Sequence, residues 1–404
     1  MKRFALPIAL IVVALAATAC ASRVPATQVV LIPTRLPTAA PPTDTAAPPT
    51  AAPTAIPATQ PPEGTGGGGE GQNGPALVWR NVTGDPAVFT VADPASGATL
   101  TTFSVAGLAE WHGQWVGGDS VFYLDDANQV VHRVGFDGQV TDLPAVNSGG
   151  PTFEGAFLPS PDGARMAWGT SVFAPGNAAG DTHIQLKVAN VDGSGEQTVL
   201  DEWLKDESIL PTPMAWSPDG KSLYFSRVPY GIGGYILFWG GPNLYRADLT
   251  TGLIAEVLPE QGCLCAMAIS PDGSTLAYMP GYDPIKLVLR DLSTGVERAT
   301  DVDAAHMQAG SVLWSPDGKS LVYTMALSNP DKEAYSIVRV DAATLAQTPL
   351  VQDDARLLET VAWTDANTVW LNAATAAGGV WRMDATTGAV TSVADGQRIV
   401  RAAR

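Results

Sequence analysis

The chain has 404 residues, of which 46% are hydrophobic and 16% charged, and it contains 41 glycines and 32 prolines. Its 23 basic and 40 acidic side chains give a net charge of −17, which argues against nucleic acid or an anionic lipid surface as the main partner. Three cysteines exclude a disulfide framework and a zinc site of four thiolates.

The first residues have the pattern of an export signal. Met1-Lys2-Arg3 is basic, and the apolar run at 4–19 has sixteen residues, too few for a helix that spans a bilayer. Ala17-Thr18-Ala19-Cys20 resembles the lipobox of bacterial lipoproteins, which implies that residues 1–19 are removed and that Cys20 carries lipid. The same residues fit an ordinary secretory cleavage site, so a secreted chain without lipid is the alternative. Both predict an extracytoplasmic protein, and the first attaches it to the membrane or cell surface through its N-terminal lipid only.

A low-complexity segment occupies residues 20–75. Residues 21–75 include twelve prolines and nine threonines, followed by a run of glycines at 66–69. This composition offers too little large apolar surface to offset the entropy of ordering, so we predict a disordered stalk. In polyproline II geometry its length corresponds to at most about 170 Å.

Four copies of the tetrapeptide Ser-Pro-Asp-Gly follow, each between apolar segments of strand-like pattern. They begin at Ser160, Ser217, Ser270 and Ser315. Degenerate copies contain Asp119 and Asp365. The six aspartate positions, 119, 162, 219, 272, 317 and 365, advance by 43, 57, 53, 45 and 48 residues. That spacing is the length of a four-stranded blade.

The chemistry of the tetrapeptide is that of a turn. Proline fixes φ, aspartate accepts hydrogen bonds from nearby backbone N–H groups, and glycine takes the left-handed conformation. We therefore interpret four aspartates as structural turn residues rather than catalytic ones: Asp162, Asp219, Asp272 and Asp317. Alternating segments that end in glycine turns, at 244–252, 288–295 and 380–388, predict a second hairpin in each unit.

The whole pattern resembles the Pro-Asp class of WD-repeat-like β-propellers, found in the propeller domain of TolB and in prolyl oligopeptidase relatives. Over residues 76–404 the resemblance implies one all-β propeller of four-stranded antiparallel blades, seven by our count, with six or eight as alternatives. Blade one, at 76–107, lacks a first strand because Leu77-Val78-Trp79 begins directly at the second. We predict that the strand-like residues 397–402 supply that strand and close the ring, which removes exposed edges.

Catalysis finds little support in the sequence. No Gly-x-Ser-x-Gly motif occurs and no α/β-hydrolase domain follows the last blade, so we expect no peptidase activity. The four histidines are scattered, so we expect no metal, cofactor or catalytic site at them: His112, His132, His183 and His306. Three alternatives are open for Cys263 and Cys265: a disulfide, two buried thiols, or a site for a soft metal together with Met267.

Long connections in blades three and four indicate a binding face. In the propeller family, the loops from second to third strands and from fourth to first strands share one end of the ring. By that assignment the following side chains project together: Tyr230, Tyr235, Phe238, Trp239, Trp203, Asp201 and Glu202. Exposed aromatics on glycine-rich loops bring large contact area at small entropic cost. The alternative is that Phe238 and Trp239 lengthen strands and pack into blade four.

Two functions follow from these predictions. The first is a non-enzymatic, monomeric, lipid-anchored propeller that binds a protein, a peptide or a cell-envelope component on that face. The second is an enzyme that acts on a glycan or small substrate at the central mouth, through carboxylates such as Asp201, Glu202 and Asp206. Converging carboxylates in a pocket would favour the enzyme, and a flat apolar face with a polar rim the binding module.

Overall fold

A computed structural model describes most of the chain after residue 75. The described ranges are 76–109, 113–149, 155–173, 181–229, 237–280, 284–327 and 333–403. Within them the chain forms 29 β-strands and no helix. A helix long and apolar enough to cross a membrane is therefore not found in these ranges. The predicted signal peptide, Cys20, the stalk, Tyr230 and Tyr235 lie outside the described residues.

The strands form seven sheets, the blades of a seven-bladed propeller, as predicted. Blades one and two contain β1 (Leu77–Asn81), β2 (Ala87–Ala92), β3 (Thr99–Val105), β4 (Trp115–Gly117), β5 (Ser120–Asp125), β6 (Val130–Gly135) and β7 (Val140–Asp142). Blades three and four contain β8 (Gly155–Pro159), β9 (Arg165–Phe173), β10 (Thr182–Asn190), β11 (Gln197–Leu204), β12 (Ile209–Trp216), β13 (Ser222–Pro229), β14 (Leu244–Asp248) and β15 (Ile254–Leu258).

The remaining blades repeat the same order of strands. Blades five and six contain β16 (Met267–Ile269), β17 (Thr275–Tyr278), β18 (Lys286–Asp291), β19 (Glu297–Asp301), β20 (Gln308–Trp314), β21 (Ser320–Leu327), β22 (Ala334–Asp341) and β23 (Gln347–Asp354). Blade seven and the C-terminal segment contain β24 (Leu358–Trp363), β25 (Thr368–Ala373), β26 (Gly379–Asp384), β27 (Val390–Asp395), β28 (Gln397–Ile399) and β29 (Arg401–Ala402).

The C-terminal strands close the ring, which confirms the prediction. β28 pairs antiparallel with β1, so that Ile399 lies opposite Trp79 and completes blade one. The chain then passes to blade two, where β29 pairs in parallel with β4 and adds a fifth strand to that sheet. Backbone N–H groups of Val400 and Ala403 donate to the carbonyls of Val78 and Val116, both at 2.8 Å. The second pairing was not predicted.

Buried apolar side chains of the described residues form layers between neighbouring blades. Between blades five and six, for example, Leu287 and Leu289 pack with Trp314 and Tyr323. Each sheet faces two neighbours and is apolar on both faces, so a single repeat cannot bury its own surface. In places the backbones of neighbouring blades come very close together. A Cβ added to Gly169 of β9 would lie 1.5 Å from the Pro211 carbonyl oxygen of β12.

The Pro-Asp turns share one set of hydrogen bonds. In the copy at 217–220 the Ser217 hydroxyl donates to Asp219 Oδ1 at 2.7 Å, and the same oxygen accepts the Lys221 backbone N–H at 3.1 Å. Gly220, at φ +65°, donates its N–H to the Ser217 carbonyl at 2.8 Å. Equivalent contacts occur around Asp162, Asp272 and Asp317. The serine hydroxyl lowers the pKa of each of the four carboxyl groups, because it donates to the ionised form.

A second aspartate turn joins the third and fourth strands of several blades. Asp291 is the clearest copy: its Oδ1 accepts the backbone N–H groups of Ser293 and Thr294 at 2.9 and 2.8 Å, and both hydroxyls as well. These donors lower the pKa of Asp291 to about 2. Like the Pro-Asp turns, this turn uses aspartate to satisfy local backbone donors.

Candidate functional site

Antiparallel pairing places the connections of each blade at two opposite ends. We call the end with the first-to-second and third-to-fourth turns, such as 217–220 and 248–252, the hairpin face. The opposite end, with the second-to-third and fourth-to-first connections, such as 205–208 and 259–266, is the loop face. The predicted binding residues that the structure describes lie at or near the loop face of blades three and four.

Exposed aromatic side chains occur only there among the described residues. They are Phe173, Trp203 and Trp239, with 43%, 64% and 55% of their surface accessible. Phe173 ends β9, Trp203 is the penultimate residue of β11, and Trp239 lies within the second-to-third connection of blade four. Every other described aromatic side chain is buried or half-buried. Large apolar groups concentrated on one surface are typical of interaction sites.

Trp203 belongs to an ordered patch on the two outer strands of blade three. Register places Trp203 opposite His183, and Asp201 opposite Gln185. The indole stacks on the imidazole with ring centroids 4.7 Å apart and planes 8° apart. Asp201 Oδ1 lies 2.7 Å from His183 Nε2, and Gln185 Nε2 donates to Asp201 Oδ2 at 2.8 Å. The contacts of His183 and Gln185 lower the pKa of Asp201, because they stabilise its ionised form. We call these four residues the blade-three patch.

The acidic residues proposed for catalysis do not converge. Asp201 and Glu202 are neighbours on β11, so their side chains point to opposite faces of the sheet. Glu202 pairs with Arg227 of blade four, whereas Asp201 contacts His183. β11 is also the outermost strand of blade three, which places both carboxylates away from the central mouth. Asp206 lies in the following connection, where its backbone N–H donates to Asp181 Oδ1 at 3.0 Å.

Phe238 is buried, so its assignment to the binding face needs correction. Only 6% of its surface is accessible, and it packs with Ala326 and Tyr335 of blade six. Gly310 provides the space, because a Cβ there would come within 2.3 Å of the Phe238 Cβ. The Leu237 backbone N–H donates to Gln308 Oε1 of blade six at 2.8 Å. The alternative prediction, that Phe238 packs into blade four, is not what the structure shows either, because Phe238 contacts side chains of blade six. We call residues 237–243 the strap.

Two cysteines lie under the strap. Cys263 and Cys265 form a disulfide in the connection between blades four and five. Gly241 exchanges two backbone hydrogen bonds of 3.1 Å with Cys265, and a Cβ on Gly240 would lie 1.7 Å from the Cys265 carbonyl oxygen. Both cysteines are buried. The disulfide therefore lies beneath backbone that belongs to the strap.

Two further histidines each lie near two carboxylates. His132 Nδ1 is 2.9 Å from Asp142, and its Nε2 is 3.6 Å from Asp125. His306 lies 3.7 and 3.5 Å from single oxygens of Asp303 and Asp353. In neither case do both carboxylates face the same ring nitrogen. Across the described residues, no group of three or more histidine, cysteine or acidic side chains could hold a metal ion. His112 lies outside them.

One ion pair links the innermost strands. Glu359 of β24 accepts a hydrogen bond of 2.6 Å from the Ser311 hydroxyl of β20, and Arg401 Nη2 of β29 lies 3.1 Å from the same oxygen. Ser311 has a left-handed backbone, at φ +50°, in a bulge of β20. These three residues join blades six and seven to the C-terminal segment, and sequence reasoning did not identify them. No repeat motif marks residues that meet across the ring.

The partners of Trp203 in the blade-three patch were also missed. His183 was predicted to lie apart from any site, and no motif in the sequence marks Gln185. The turn around Gly193 sets which residues of β10 and β11 lie opposite each other near the turn. A bulge at Leu186 and Lys187 then shifts this register by one residue. Counting outward from the turn alone would place His183 opposite Glu202 instead of Trp203.

Comparisons with known proteins identify the fold. No protein-family model matches the chain, and a search of curated proteins finds no match. Among solved structures, the chain is similar to a candidate 6-phosphogluconolactonase from Bacteroides uniformis, with 13% identity and a TM-score of 0.51 over 81% of this chain and 97% of that one. A second such candidate, from Bacteroides fragilis, has 13% identity and a TM-score of 0.50 over 80% and 98%. TolB from Acinetobacter baumannii has 14% identity and a TM-score of 0.42 over 81% and 83%. At these identities the likeness concerns the fold alone.

Proposed function

We propose that this protein is an extracytoplasmic, lipid-anchored propeller that binds a protein, peptide or cell-envelope component without catalysing a reaction. The binding surface is the loop face of blades three and four. The observation that carries the proposal is the concentration of Phe173, Trp203 and Trp239 there, while the other described aromatics are buried or half-buried. Rigid aromatic side chains on a fixed scaffold contribute large contact area at small entropic cost.

The anchoring part of the proposal rests on the N-terminal sequence. Removal of residues 1–19 and lipidation of Cys20 would tether the propeller by residues 20–75, a segment rich in proline, threonine and glycine. A net charge of −17 is unfavourable for binding nucleic acid. We propose that the tethered unit is a monomer that requires no cofactor. Replacing Cys20 by serine should abolish incorporation of labelled fatty acid and shift the protein out of the membrane fraction. Unchanged labelling would refute lipidation at this residue.

The carboxylates that suggested a catalytic function do not lie together. Acid and base groups for glycoside hydrolysis must flank one bond at a fixed separation. Asp201 and Glu202 point to opposite faces of β11, and each already contacts a basic side chain or imidazole. We therefore favour binding over catalysis.

Site-specific photocrosslinking tests the binding face. Four variants are made, each with one photoreactive amino acid, at Trp203, Trp239, Leu253 or Val296. The last two are controls, and all four are irradiated in intact source cells. The controls are 70% and 63% exposed and border turns of the hairpin face. We expect discrete adducts from the two loop-face positions and none from the controls. Adducts of equal yield from both faces, or from neither, would contradict the proposal.

A further inference from the structure

The blade-three patch presents one flat aromatic surface with hydrogen-bonding groups beside it. From this arrangement we infer that the patch binds an oligosaccharide built of pyranose rings whose substituents are all equatorial. The inference rests on the proposed binding function and specifies the ligand class for one part of the binding face. It concerns Trp203, His183, Asp201 and Gln185.

The indole of Trp203 offers a single open face. Its other face lies against the His183 imidazole, 4.7 Å away and nearly parallel, yet 64% of the tryptophan surface is accessible. An indole face carries the negative part of the ring quadrupole. The axial C–H groups of an all-equatorial pyranose carry small positive partial charges and form a flat apolar surface. The two surfaces therefore complement each other in shape and charge.

The position of Trp203 is fixed before any ligand arrives. His183, on which it stacks, is held by Asp201, and Asp201 is held by Gln185. The strand itself is fixed from its opposite face by the pair of Glu202 with Arg227 of blade four. A binding group that is already ordered loses little conformational entropy on binding.

The end of the hairpin that carries Trp203 is fixed as well. The Thr182 hydroxyl donates to the Glu207 carbonyl at 2.8 Å, and the Asp206 N–H donates to Asp181 at 3.0 Å. These bonds tie the start of β10 to the residues that follow β11. Trp203 therefore lies on a hairpin whose end is held by hydrogen bonds rather than on a free loop.

The patch lies where the neighbouring blade is shorter. β10 and β11 have nine and eight residues, whereas β6 and β7 of blade two have six and three. The first turns of the two blades meet at the hairpin face, where the Gly118 N–H donates to the Pro161 carbonyl at 2.8 Å. The surplus length of blade three must then extend toward the loop face. This explains why Trp203 is exposed on a side of the sheet that elsewhere packs against blade two.

The polar neighbours favour a sugar over other ligands. Each oxygen of Asp201 accepts one hydrogen bond from the patch and retains capacity for another, and half of the side chain is accessible. Sugar hydroxyls are suitable donors, whereas an anionic ligand would be repelled by this carboxylate. A quaternary ammonium group is best held by aromatic rings on several sides, but the second ring here lies behind the first. A proline-rich peptide requires an aromatic-lined groove, which a single plane does not provide.

Calorimetric titration of the purified protein tests the inference. The probes are two tetrasaccharides, one of β-1,4-linked glucose and one of β-1,4-linked N-acetylglucosamine. We expect at least one to bind with a Kd below about 1 mM. Replacing Trp203 by alanine should weaken binding at least tenfold, and Trp203→Phe should weaken it less. Leu253→Ala, which shortens an apolar side chain that is 70% exposed beside a turn of the hairpin face, should stay within about twofold of the unchanged protein.

Several outcomes would overturn the inference. They are absence of binding of both sugars at about 10 mM, equal losses in the two alanine variants, and binding of tetramethylammonium or a proline-rich peptide at Trp203 in place of the sugars. The thermal midpoint of each variant establishes that it is folded. If the sugars fail while a photocrosslinker at Trp203 captures a protein, the sugar inference is wrong and the proposed binding function stands. If crosslinking fails as well, both are wrong.

Discussion

Replacing Ile399 by alanine tests the closure of the ring by its C-terminal strand. Ile399 is 5% exposed and lies in the apolar layer between blades seven and one, with Trp79 and Trp370. Truncation of a buried isoleucine to alanine costs about 2–5 kcal/mol of unfolding free energy, through lost transfer energy and the cavity that remains. We expect a value near the middle of that range, about 3 kcal/mol, because aromatic neighbours on two blades relax only in part.

The expected shift in thermal midpoint follows from the size of the folded unit. For about 330 residues, an unfolding entropy near 2.1 cal/mol/K per residue amounts to about 0.7 kcal/mol/K. A loss of about 3 kcal/mol then lowers the midpoint by about 4 °C, and the range of 2–5 kcal/mol corresponds to about 3–7 °C. Differential scanning calorimetry measures both the midpoint and the cooperativity of the transition.

The chain offers a matched control of the same residue type. Ile254, on the outer strand β15, is 39% exposed, so Ile254→Ala should lower the midpoint by less than about 1 °C. Equal shifts in the two variants, or no shift for Ile399→Ala, would show that the terminal strand does not belong to the folded ring.

Three further perturbations probe the packing and the turns. Gly169→Ala places a methyl group 1.5 Å from the Pro211 carbonyl oxygen, so calorimetry should show a loss of at least about 3 kcal/mol; a loss below about 1 kcal/mol would refute the close approach. Phe238→Ala removes a buried side chain and should destabilise the protein by about 3–5 kcal/mol, whereas Trp239→Ala should change stability by less than about 0.5 kcal/mol. Equal effects of the two variants would contradict the burial of Phe238 in the strap. The pKa of Asp291 is lowered to about 2, so its stabilising contribution is complete above about pH 4 and is lost as the pH falls from about 4 to 2. Thermal midpoints over that window should fall less steeply in Asp291→Asn than in the unchanged protein, and identical slopes would exclude this contribution.

The architecture could be predicted because its determinants are local and repeated. A turn of serine, proline, aspartate and glycine satisfies its own backbone donors, as at Ser217 and Asp219, so it specifies a hairpin wherever it occurs. Regular spacing then gives the blade length. Closure was predictable because blade one had no first strand of its own and the strand-like residues 397–402 belonged to no other blade.

The candidate site was predicted less well, because it depends on contacts between distant residues. Phe238 is buried only because blade six contributes Gly310, which is 72 residues away in the chain and carries no mark of that role. The opposite orientations of Asp201 and Glu202 did follow from strand alternation, once the segment was known to be a strand rather than a loop. The stacking of Trp203 on His183 depended on a bulge that the sequence does not reveal.

The pairing of β28 with β1 has a consequence for the biosynthesis of the chain. Ribosomes make proteins from the N-terminus, so β1 is among the first strands of the propeller to be made and Gln397–Ile399 among the last. Until those residues emerge, the edge of β1 that includes Trp79 has no partner strand. A propeller that lacks these residues therefore has an unpaired edge in blade one, which could pair with a strand of another chain. Pairing of this one strand thus separates a completed ring from a ring with an exposed sheet edge.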